Sequence, residues 1–356
     1  MTTATKQRPR RVHPAVPDTP SSTDTVDLLR TTDWVLINSS GGKDSQAMAA
    51  YLVGLAARLG MLHKVVVVHA DLGTVEWAGT RQLAEQQARL LGVRFEVVQA
   101  NGSDLLGRTR ARYIKLKAKA LAEGKPVAPA WPSSSARWCT SDLKRGPVRT
   151  LMTRLVAEVG DLGHPVRILN CLGQRAAESP HRAGLAPVEI DRAASNGRRT
   201  VTTLRPIHGW TDHDVWAQIA QAPYLPYHPA YDWGMRRLSC SFCVLASESD
   251  LVLAARLRPG KAAEYAATEQ AVERDFKASL SMATITARAA QLDRTHGRVR
   301  RAPRGTAMTA HLGPDMTRTY LRNSPAPHKT TRPRTRGRRL LLALAALTLT
   351  LVLWSL

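Results

Sequence analysis

The sequence is poor in cysteine, in aromatic residues and in acidic residues, and each shortage excludes a class of protein. Four cysteines scattered over 356 residues are too few for a secreted disulfide scaffold. Aromatic residues make up only 5% of the chain, which argues against an RNA-reading sheet built on stacked aromatic side chains. The first 30 residues contain no apolar run, so no signal peptide is predicted and the cytoplasm is the expected compartment.

The shortage of acidic residues leaves the chain strongly basic. There are 28 Asp and Glu residues against 51 Lys and Arg residues, a formal net charge of +23, which favours an anionic partner. Residues 298–339 hold 12 basic residues and one acidic residue and have little apolar content, so they are predicted to be a disordered basic linker. Residues 1–30, which are polar and rich in Pro and Thr, are predicted to be a disordered leader.

The chain has one long apolar run, at residues 340–356, and this run contains no charged residue. As a helix it would span about 25 Å, the short end of what crosses a bilayer core. It follows a basic segment, and Trp354 stands near its far end, where interfacial aromatic residues occur. The pattern predicts a C-terminal membrane anchor with the preceding domain on the cytoplasmic side. A packing helix, or an extension without a partner, is the alternative.

Between these termini, short β-branched runs alternate with amphipathic stretches of helical length. Strands are predicted at 34–38, 65–68, 95–98 and 166–172, with helices at 45–59, 79–91, 104–122 and from Pro147 onwards. This alternation predicts an α/β fold with a doubly wound, mostly parallel sheet over residues 31–245, whose ligands bind at the carboxyl ends of the strands. Helical patterns without strands predict a helical extension at 246–297.

The turn between the first strand and the first helix has the composition of an anion-binding loop. Adjacent glycines allow close approach of backbone N–H groups, a helix N-terminus adds positive potential, and a lysine adds a full charge. Asp follows the Lys where a Walker A loop requires Ser or Thr, so this is a different phosphate loop. The predicted phosphate-binding residues are Ser40, Gly41, Gly42, Lys43, Asp44 and Ser45.

This loop resembles the pyrophosphate loop of the N-type ATP pyrophosphatase superfamily. Further motifs in the same order are similar to those of phosphoadenylylsulfate (PAPS) reductases, and the resemblance covers residues 34–276. These motifs are His69-Ala70-Asp71-Leu72-Gly73, then Gly173-Gln174-Arg175 with Glu178, Ser179 and Arg182, then Pro206, Trp210, Asp214-Val215-Trp216, Leu225-Pro226, His228-Pro229, Tyr231, Gly234 and Ser239-Cys240.

The resemblance implies an enzyme that binds ATP, PAPS or adenylylsulfate and acts in sulfur metabolism or sulfur transfer. It implies catalytic roles for Lys43, Asp44 and Arg175, and a role for Asp71 in holding Mg²⁺ or a ribose hydroxyl. The remaining nucleotide-binding residues implied by it are Gly173, Glu178 and Arg182. Arg forks suit phosphate and sulfate geometrically. A surface ion pair between Arg175 and Glu178 is the alternative for those two residues.

The cysteines form a CxxC pair, Cys240 and Cys243, with Cys139 and Cys171 upstream. A CxxC turn can hold zinc, hold an iron–sulfur cluster or cycle as a disulfide. Resemblance to the cluster-bearing adenylylsulfate reductases implies a four-iron (4Fe-4S) cluster on Cys139, Cys240 and Cys243. Those enzymes have a double Cys where this chain has Trp138-Cys139, so one ligand is missing. Either Cys171 is the fourth ligand or one iron stays open; Cys171, on an apolar strand, is expected to be core.

No cysteine follows Cys243. Thioredoxin-dependent reductases of this family use a C-terminal nucleophilic cysteine, so the full reductase reaction is not expected. The sulfur-transfer enzymes of DNA phosphorothioation resemble the same reductases and fit the basic charge, which implies a DNA or tRNA substrate and an unidentified sulfur or electron donor. The alternative is a catalytically inactive nucleotide-sensing or nucleic-acid-binding module on the same fold.

Overall fold

A computed structural model of the chain describes residues 21–300 and 302–323. Six strands form one sheet in the order β3-β2-β1-β4-β6-β5, in which only β5 runs antiparallel to its neighbour. The predicted doubly wound, mostly parallel α/β fold is therefore confirmed. The strands are β1 (Trp34–Asn38), β2 (Val65–Ala70), β3 (Arg94–Val98), β4 (Val166–Leu172), β5 (Val188–Ile190) and β6 (Arg199–Leu204).

The helices of the described residues cover both faces of the sheet and continue beyond it. Each strand from β1 to β3 is followed by a helix, as the alternating pattern predicted. The helices are α1 (Ser22–Thr31), α2 (Lys43–Arg58), α3 (Thr80–Leu90), α4 (Leu105–Glu123), α5 (Trp138–Thr140), α6 (Gly146–Val159), α7 (Pro180–Ala183), α8 (Asp212–Gln221), α9 (Glu248–Leu257), α10 (Pro259–Ala271), α11 (Met282–His296), α12 (Thr306–Leu312) and α13 (Pro314–Asn323).

The sheet changes winding direction between β1 and β4. These two strands are neighbours in the sheet, although 127 residues lie between the end of β1 and the start of β4 in the sequence. Asn38 at the end of β1 lies opposite Leu172 at the end of β4, so the two carboxyl ends are level. In open α/β sheets ligands bind in the crevice at such a switch point. The loops that leave β1 and β4 therefore border the expected binding crevice.

Two apolar layers enclose the centre of the sheet. One joins α2 to Val35, Ile37 and their neighbours, and the other joins α6 to Leu36 and Ile168. Because β1 and β2 are covered on both faces, their middle residues are buried without alternation, as is typical of central parallel strands.

A separate apolar core lies beyond the sheet, and it joins helices α9, α10 and α11 to α4 and to the segment around Trp131. Tyr265, Phe242 and Phe276 are its largest fully buried side chains. Cys139 and Cys240 pack against this core. The helices beyond residue 246 therefore form one packed unit with the segments that carry these two cysteines.

The structure corrects two predicted disordered segments. Within the predicted leader 1–30, α1 is helical, is capped by Ser21 and buries Leu29 completely. Within the predicted linker 298–339, α12 and α13 form and bury Met308 and Tyr320 on α8. A few apolar residues suffice for these helices because the rest of the fold supplies the partner surface.

The membrane prediction is also corrected. No helix of the described residues is long and apolar enough to cross a membrane. The predicted anchor, residues 340–356, lies outside the described residues.

Candidate functional site

The loop that leaves β1 is held by its own side chains. The N–H of Ser40 donates to Ser45 Oγ at 3.1 Å, and Ser45 Oγ donates to the carbonyl of Gly42 at 2.9 Å. The N–H groups of Gly41 and Gly42 have longer contacts to the hydroxyls of preceding serines, at 3.3 and 3.4 Å. Contacts at these distances are weak. A phosphate could therefore replace the serine hydroxyls as the hydrogen-bond acceptor of these two glycine N–H groups most easily.

Glycine is required at two positions around this loop, Gly41 and Gly173, for two different reasons. Gly41 has φ +68°, a left-handed conformation, and a Cβ there would lie 2.8 Å from Thr80 Cγ2. Gly173, at the end of β4, lies against the loop backbone, and a Cβ there would be 3.0 Å from the carbonyl oxygen of Asp44. Gly173 therefore contributes by allowing the two loops at the switch point to touch.

Four charged side chains meet where these loops touch, and we call Lys43, Asp44, Arg175 and Asp212 the charge cluster. Lys43 Nζ and Arg175 Nη2 each lie 2.7 Å from the same oxygen, Asp212 Oδ1. Arg175 Nε donates to Asp44 Oδ1 at 2.6 Å, and Lys43 Nζ lies 3.2 Å from that atom. The Lys43 and Arg175 side chains are 6% and 5% exposed, whereas Asp212 is 55% exposed.

The charge cluster brings together three predicted catalytic residues and adds one that the sequence did not predict. The resemblance had singled out Asp214, which caps α8 by accepting the N–H of Thr211 at 2.8 Å. Asp212, two residues earlier, is the residue that reaches the cations. Burial raises the pKa of Asp212, but Lys43 and Arg175 outweigh that effect and the pKa is lowered. The sequence signal that could have identified Asp212 is an acidic residue in the first turn of the helix that follows Trp210.

Arg175 does not form the surface ion pair with Glu178 that was the alternative. Its guanidinium is buried in the charge cluster, and only its backbone N–H donates to Glu178 Oε2, at 2.9 Å. The Glu178 carboxylate forms ion pairs with Arg182 and, at 3.4 Å, with Arg237. Glu178 therefore holds the guanidinium groups of Arg182 and Arg237 in position.

Arg182, which pairs with Glu178, also has three other arginines near it. Its pKa is lowered to about 10 by burial and by the positive charges of Arg237, Arg137 and Arg175, with Asp44 acting in the opposite direction. Arg137 and Arg237 stand just before the Cys139 and Cys240 segments. Positive charge therefore extends from the charge cluster towards the cysteines, which suits an extended anionic ligand.

Asp71 lies at the end of β2 and is ordered by its neighbours. Its Oδ1 accepts the N–H of Gly73 at 2.7 Å, and Arg81 lies 3.5 Å from its Oδ2. Among the described residues, one group of at least three His, Cys, Asp or Glu ligand atoms lies within 4.8 Å of one another: His69, Asp71 and Glu76.

Cys139, Cys240 and Cys243 are near enough to influence one another electrostatically. Cys240 forms a β-bridge with Glu76, and the next N–H, of Ser241, donates to Val75 O at 2.9 Å. Burial is the largest cause that raises the pKa of Cys139, and the neighbouring Cys243 raises it further. The segment after β2 thus holds the CxxC turn in place.

Lys144 lies beside these three cysteines, and we call the four residues the thiol site. Burial opposes its charged form, but Cys240, Glu76 and the other two cysteines outweigh burial and raise its pKa. Within the described part of the chain, Lys144 has no carboxylate within 4.0 Å. Lys144 is partly buried, and its charge acts to lower the pKa of the Cys139 and Cys240 thiols, although burial outweighs it and raises both.

Tyr265 is the residue of this region that sequence analysis missed. It is fully buried, its ring lies 5.0 Å from that of Phe242, and Cys240 and Cys243 influence its ionisation. Its hydroxyl has no hydrogen-bond partner among the described residues. A buried hydroxyl without a partner costs about 1–3 kcal/mol. No sequence pattern signals such a group, because it arises from packing.

Cys171 lies apart from the other cysteines. It stands in β4 opposite Ile37, is 0% exposed and belongs to the apolar layer on the α2 face of the sheet. Burial raises the pKa of its thiol strongly. The structure therefore places Cys171 as the core residue that its apolar strand predicted.

Comparisons with solved structures give distant likenesses. The PAPS reductase of Candida auris in a phosphate complex is 17% identical, with a TM-score of 0.36. The match covers 61% of this chain and 87% of the reductase chain. The FMN adenylyltransferase of Candida glabrata with FAD and inorganic pyrophosphate is 11% identical, with a TM-score of 0.32. The match covers 61% of this chain and 64% of the adenylyltransferase chain. The U34-tRNA thiolase NcsA of Methanococcus maripaludis with its [4Fe-4S] cluster is 13% identical, with a TM-score of 0.28. The match covers 81% of this chain and 86% of the thiolase chain.

Identities this low carry no activity over to the chain. A comparison with curated proteins gave no match. The family model of the phosphoadenosine phosphosulfate reductase domain matches residues 161–246, which include Gly173, Arg175, Cys240 and Cys243. The resemblance predicted from the motifs is thereby confirmed for this part of the chain: residues 161–246 are similar to the phosphoadenosine phosphosulfate reductase domain.

Proposed function

We propose that this protein is an enzyme that binds an adenine nucleotide at the charge cluster and uses it in sulfur metabolism or sulfur transfer. ATP, PAPS and adenylylsulfate are the candidate nucleotides, since each carries the phosphate groups that the loop at Ser40–Ser45 would bind. The function combines this nucleotide site with an iron–sulfur cluster at the thiol site.

The observation that carries the proposal is the oxygen Asp212 Oδ1, which two buried cations share. Lys43 and Arg175 converge on one anionic oxygen at the switch point of the sheet, beside the N-terminus of α2. A phosphate oxygen is chemically similar to this carboxylate oxygen, and Asp212 is half exposed and free to turn towards solvent. We therefore infer that a nucleotide phosphate replaces Asp212 when it binds.

Within such a complex, Lys43 and Arg175 would stabilise the negative charge that develops on a leaving pyrophosphate or related anion. Asp44 would hold Arg175 in place through the 2.6 Å contact with its Nε. Arg182 and the arginines near it would contact the distal anionic part of the substrate. Asp71, as a ligand of Mg²⁺ or of a ribose hydroxyl, stays a prediction.

The spacing of the sulfur atoms in the thiol site bears on which metal group could fit there. A single tetrahedral zinc ion with sulfur ligands about 2.3 Å away needs those sulfur atoms about 3.8 Å apart. Among the described residues, the three cysteines do not form a group with sulfur atoms within 4.8 Å of one another. A four-iron cluster attaches each thiolate to a different iron, so it suits a wider set of thiolates.

Two further groups favour a cluster at the thiol site. Lys144 offers positive charge to an anionic group, and Tyr265, whose ionisation Cys240 and Cys243 influence, offers an unused hydroxyl donor. Cys139, Cys240 and Cys243 would hold the cluster and Cys171 would not. With three thiolate ligands, the cluster would supply one iron that is open to sulfur.

The nucleotide part of the proposal is tested by isothermal titration calorimetry of the full chain with ATP. We expect Lys43→Ala to weaken binding by at least about tenfold, a modest effect for one charged phosphate contact. Lys125→Ala is the matched control, because Lys125 is 71% exposed and pairs with Glu123 at the surface. Equal affinities for the wild type and Lys43→Ala would contradict the nucleotide site.

The enzymatic part is tested by following pyrophosphate release from ATP, with DNA or tRNA and a sulfide source present. A nucleotide-sensing or nucleic-acid-binding module would bind ATP and release no pyrophosphate. The net charge of +23 favours a nucleic acid as acceptor, so we expect release to increase when nucleic acid is added.

A further inference from the structure

Three potential metal ligands converge at the end of β2, outside both sites described above. The ligand atoms of His69, Asp71 and Glu76 all lie within 4.8 Å of one another. The side chains are 1%, 16% and 12% exposed, respectively. Carboxylates with so little exposure need a cation nearby, because removing charge from water is costly.

The orientation of His69 suits a metal ligand. Its Nδ1 lies 3.0 Å from the carbonyl oxygen of Ser39, which can only accept, so Nδ1 carries a proton. That bond fixes the ring and directs Nε2 towards the carboxylates, with Nε2 3.1 Å from Glu76 Oε2. Metal-bound histidines usually donate their second ring N–H to a backbone carbonyl or a carboxylate in this way.

The distances also suit a single ion. Imidazole and carboxylate ligands about 2.1 Å from one ion lie about 3 Å apart when they are adjacent in an octahedron. The observed 3.1 Å between His69 and Glu76 matches that separation. We propose that His69, Asp71 and Glu76 bind one first-row divalent cation, with Mn²⁺ as the representative ion for a set of one imidazole and two carboxylates.

The position of this ion would link the two sites. Ser39 leads directly into the loop at Ser40–Ser45, and Glu76 forms the β-bridge with Cys240. The cation would fix the segment between β2 and the CxxC turn from one side and the start of the phosphate loop from the other. This inference does not rest on the proposed function, because it requires neither a nucleotide nor an iron–sulfur cluster.

The competing arrangement is a buried ion pair without metal. In that case Nε2 also carries a proton and donates to Glu76, while Arg81 balances Asp71 at 3.5 Å. Both arrangements use the same side chains, so the experiment has to measure metal binding directly. Mn²⁺ is the probe because it is detected by electron paramagnetic resonance and prefers oxygen and imidazole ligands to thiolates.

The full chain, freed of metal with a chelator, is titrated with Mn²⁺ in the absence of nucleotide. We expect one Mn²⁺ to bind per chain and Glu76→Gln to weaken binding by at least tenfold. Glu158→Gln is the matched control, since Glu158 pairs with Arg94 at the surface, and it should bind Mn²⁺ as the wild type does.

A second measurement covers the case in which Glu76→Gln folds poorly. Mn²⁺ should raise the unfolding temperature of the wild type, and it should leave that of His69→Gln unchanged. Absence of Mn²⁺ binding by the wild type, or equal binding by wild type and Glu76→Gln, would overturn the proposal in favour of the ion pair. Failure of ATP binding would leave it untouched, because no nucleotide is present.

Discussion

The charge cluster and the thiol site lie on the same side of the fold but satisfy their polar groups very differently. In the charge cluster, both buried cations have carboxylate partners within 2.7 Å. In the thiol site, Lys144 has no carboxylate within 4.0 Å in the described part of the chain, and the adjacent Tyr265 hydroxyl has no partner there either. The charge cluster is complete without a ligand, whereas the thiol site leaves a partly buried cation and a nearby buried hydroxyl without such partners.

This difference corresponds to two kinds of ligand. A substrate that comes and goes requires a site that stays folded when it is absent, and ion pairs that a phosphate can replace provide that. A resident group can be part of the folded structure, so the chain need not satisfy the side chains around it by itself. The charge cluster therefore has the properties of an exchange site, and the thiol site those of a site for a permanently bound group.

The largest effect should come from removing a thiolate ligand from the thiol site. We expect Cys240→Ser to abolish the iron content and the visible absorption of anaerobically purified protein, because loss of a ligand usually disassembles a cluster. Cys171→Ser should retain both and lose about 1 kcal/mol of stability, since Cys171 is a buried core residue. Wild-type protein containing zinc and no iron would contradict the assignment.

A smaller effect is expected where the two loops of the exchange site touch. Gly173→Ala places a Cβ 3.0 Å from the Asp44 carbonyl oxygen, and backbone cannot move aside as a side chain can. We expect a loss of about 1–3 kcal/mol in urea unfolding, with weaker ATP binding. Gly197→Ala is the control, because a Cβ at Gly197 meets nothing within 4 Å. Equal stabilities of the two variants would show that the loops are not in close contact.

Removing the hydroxyl of Tyr265, which has no partner among the described residues, should change the stability of the protein in a direction that depends on whether the cluster is bound. Without metal, Tyr265→Phe should stabilise the protein by about 1 kcal/mol, because it removes a buried donor that has no partner. With the cluster bound, it should be destabilising, since the donor then has a sulfur acceptor. Tyr227→Phe, which breaks a 2.8 Å bond to Asp232, should be destabilising in both states. Thermal unfolding of apo and reconstituted protein measures this.

The smallest effect is the pH dependence of the charge cluster. The folded pKa of Asp212 is lowered, since Lys43 and Arg175 outweigh burial, so its ion pairs stabilise the fold above its unfolded pKa of about 3.9. That stabilisation is lost as the pH falls through the lower folded pKa. The stability difference between wild type and Asp212→Asn should therefore shrink in this window. A constant difference between pH 7 and pH 2 would contradict the ion pairs.

Much of the fold was predictable because its signals are local. The runs at Trp34–Asn38 and Val166–Leu172 are strands with the predicted bounds. Strands β5 and β6 were not predicted, because β6 is rich in Thr and buries few apolar side chains, among them Val201 and Leu204. The helices α12 and α13 were missed since a basic composition does not show which few residues pack.

The sequence by itself determined the phosphate loop, the CxxC turn and the order of strands and helices, because each depends on residues close together in the chain. Only the tertiary structure decided that Asp212 shares its oxygen with Lys43 and Arg175, which are 169 and 37 residues away. It likewise decided that Glu76 stands beside Cys240, at the meeting point of two loops. Such contacts depend on sheet order and register, and no local periodicity encodes them.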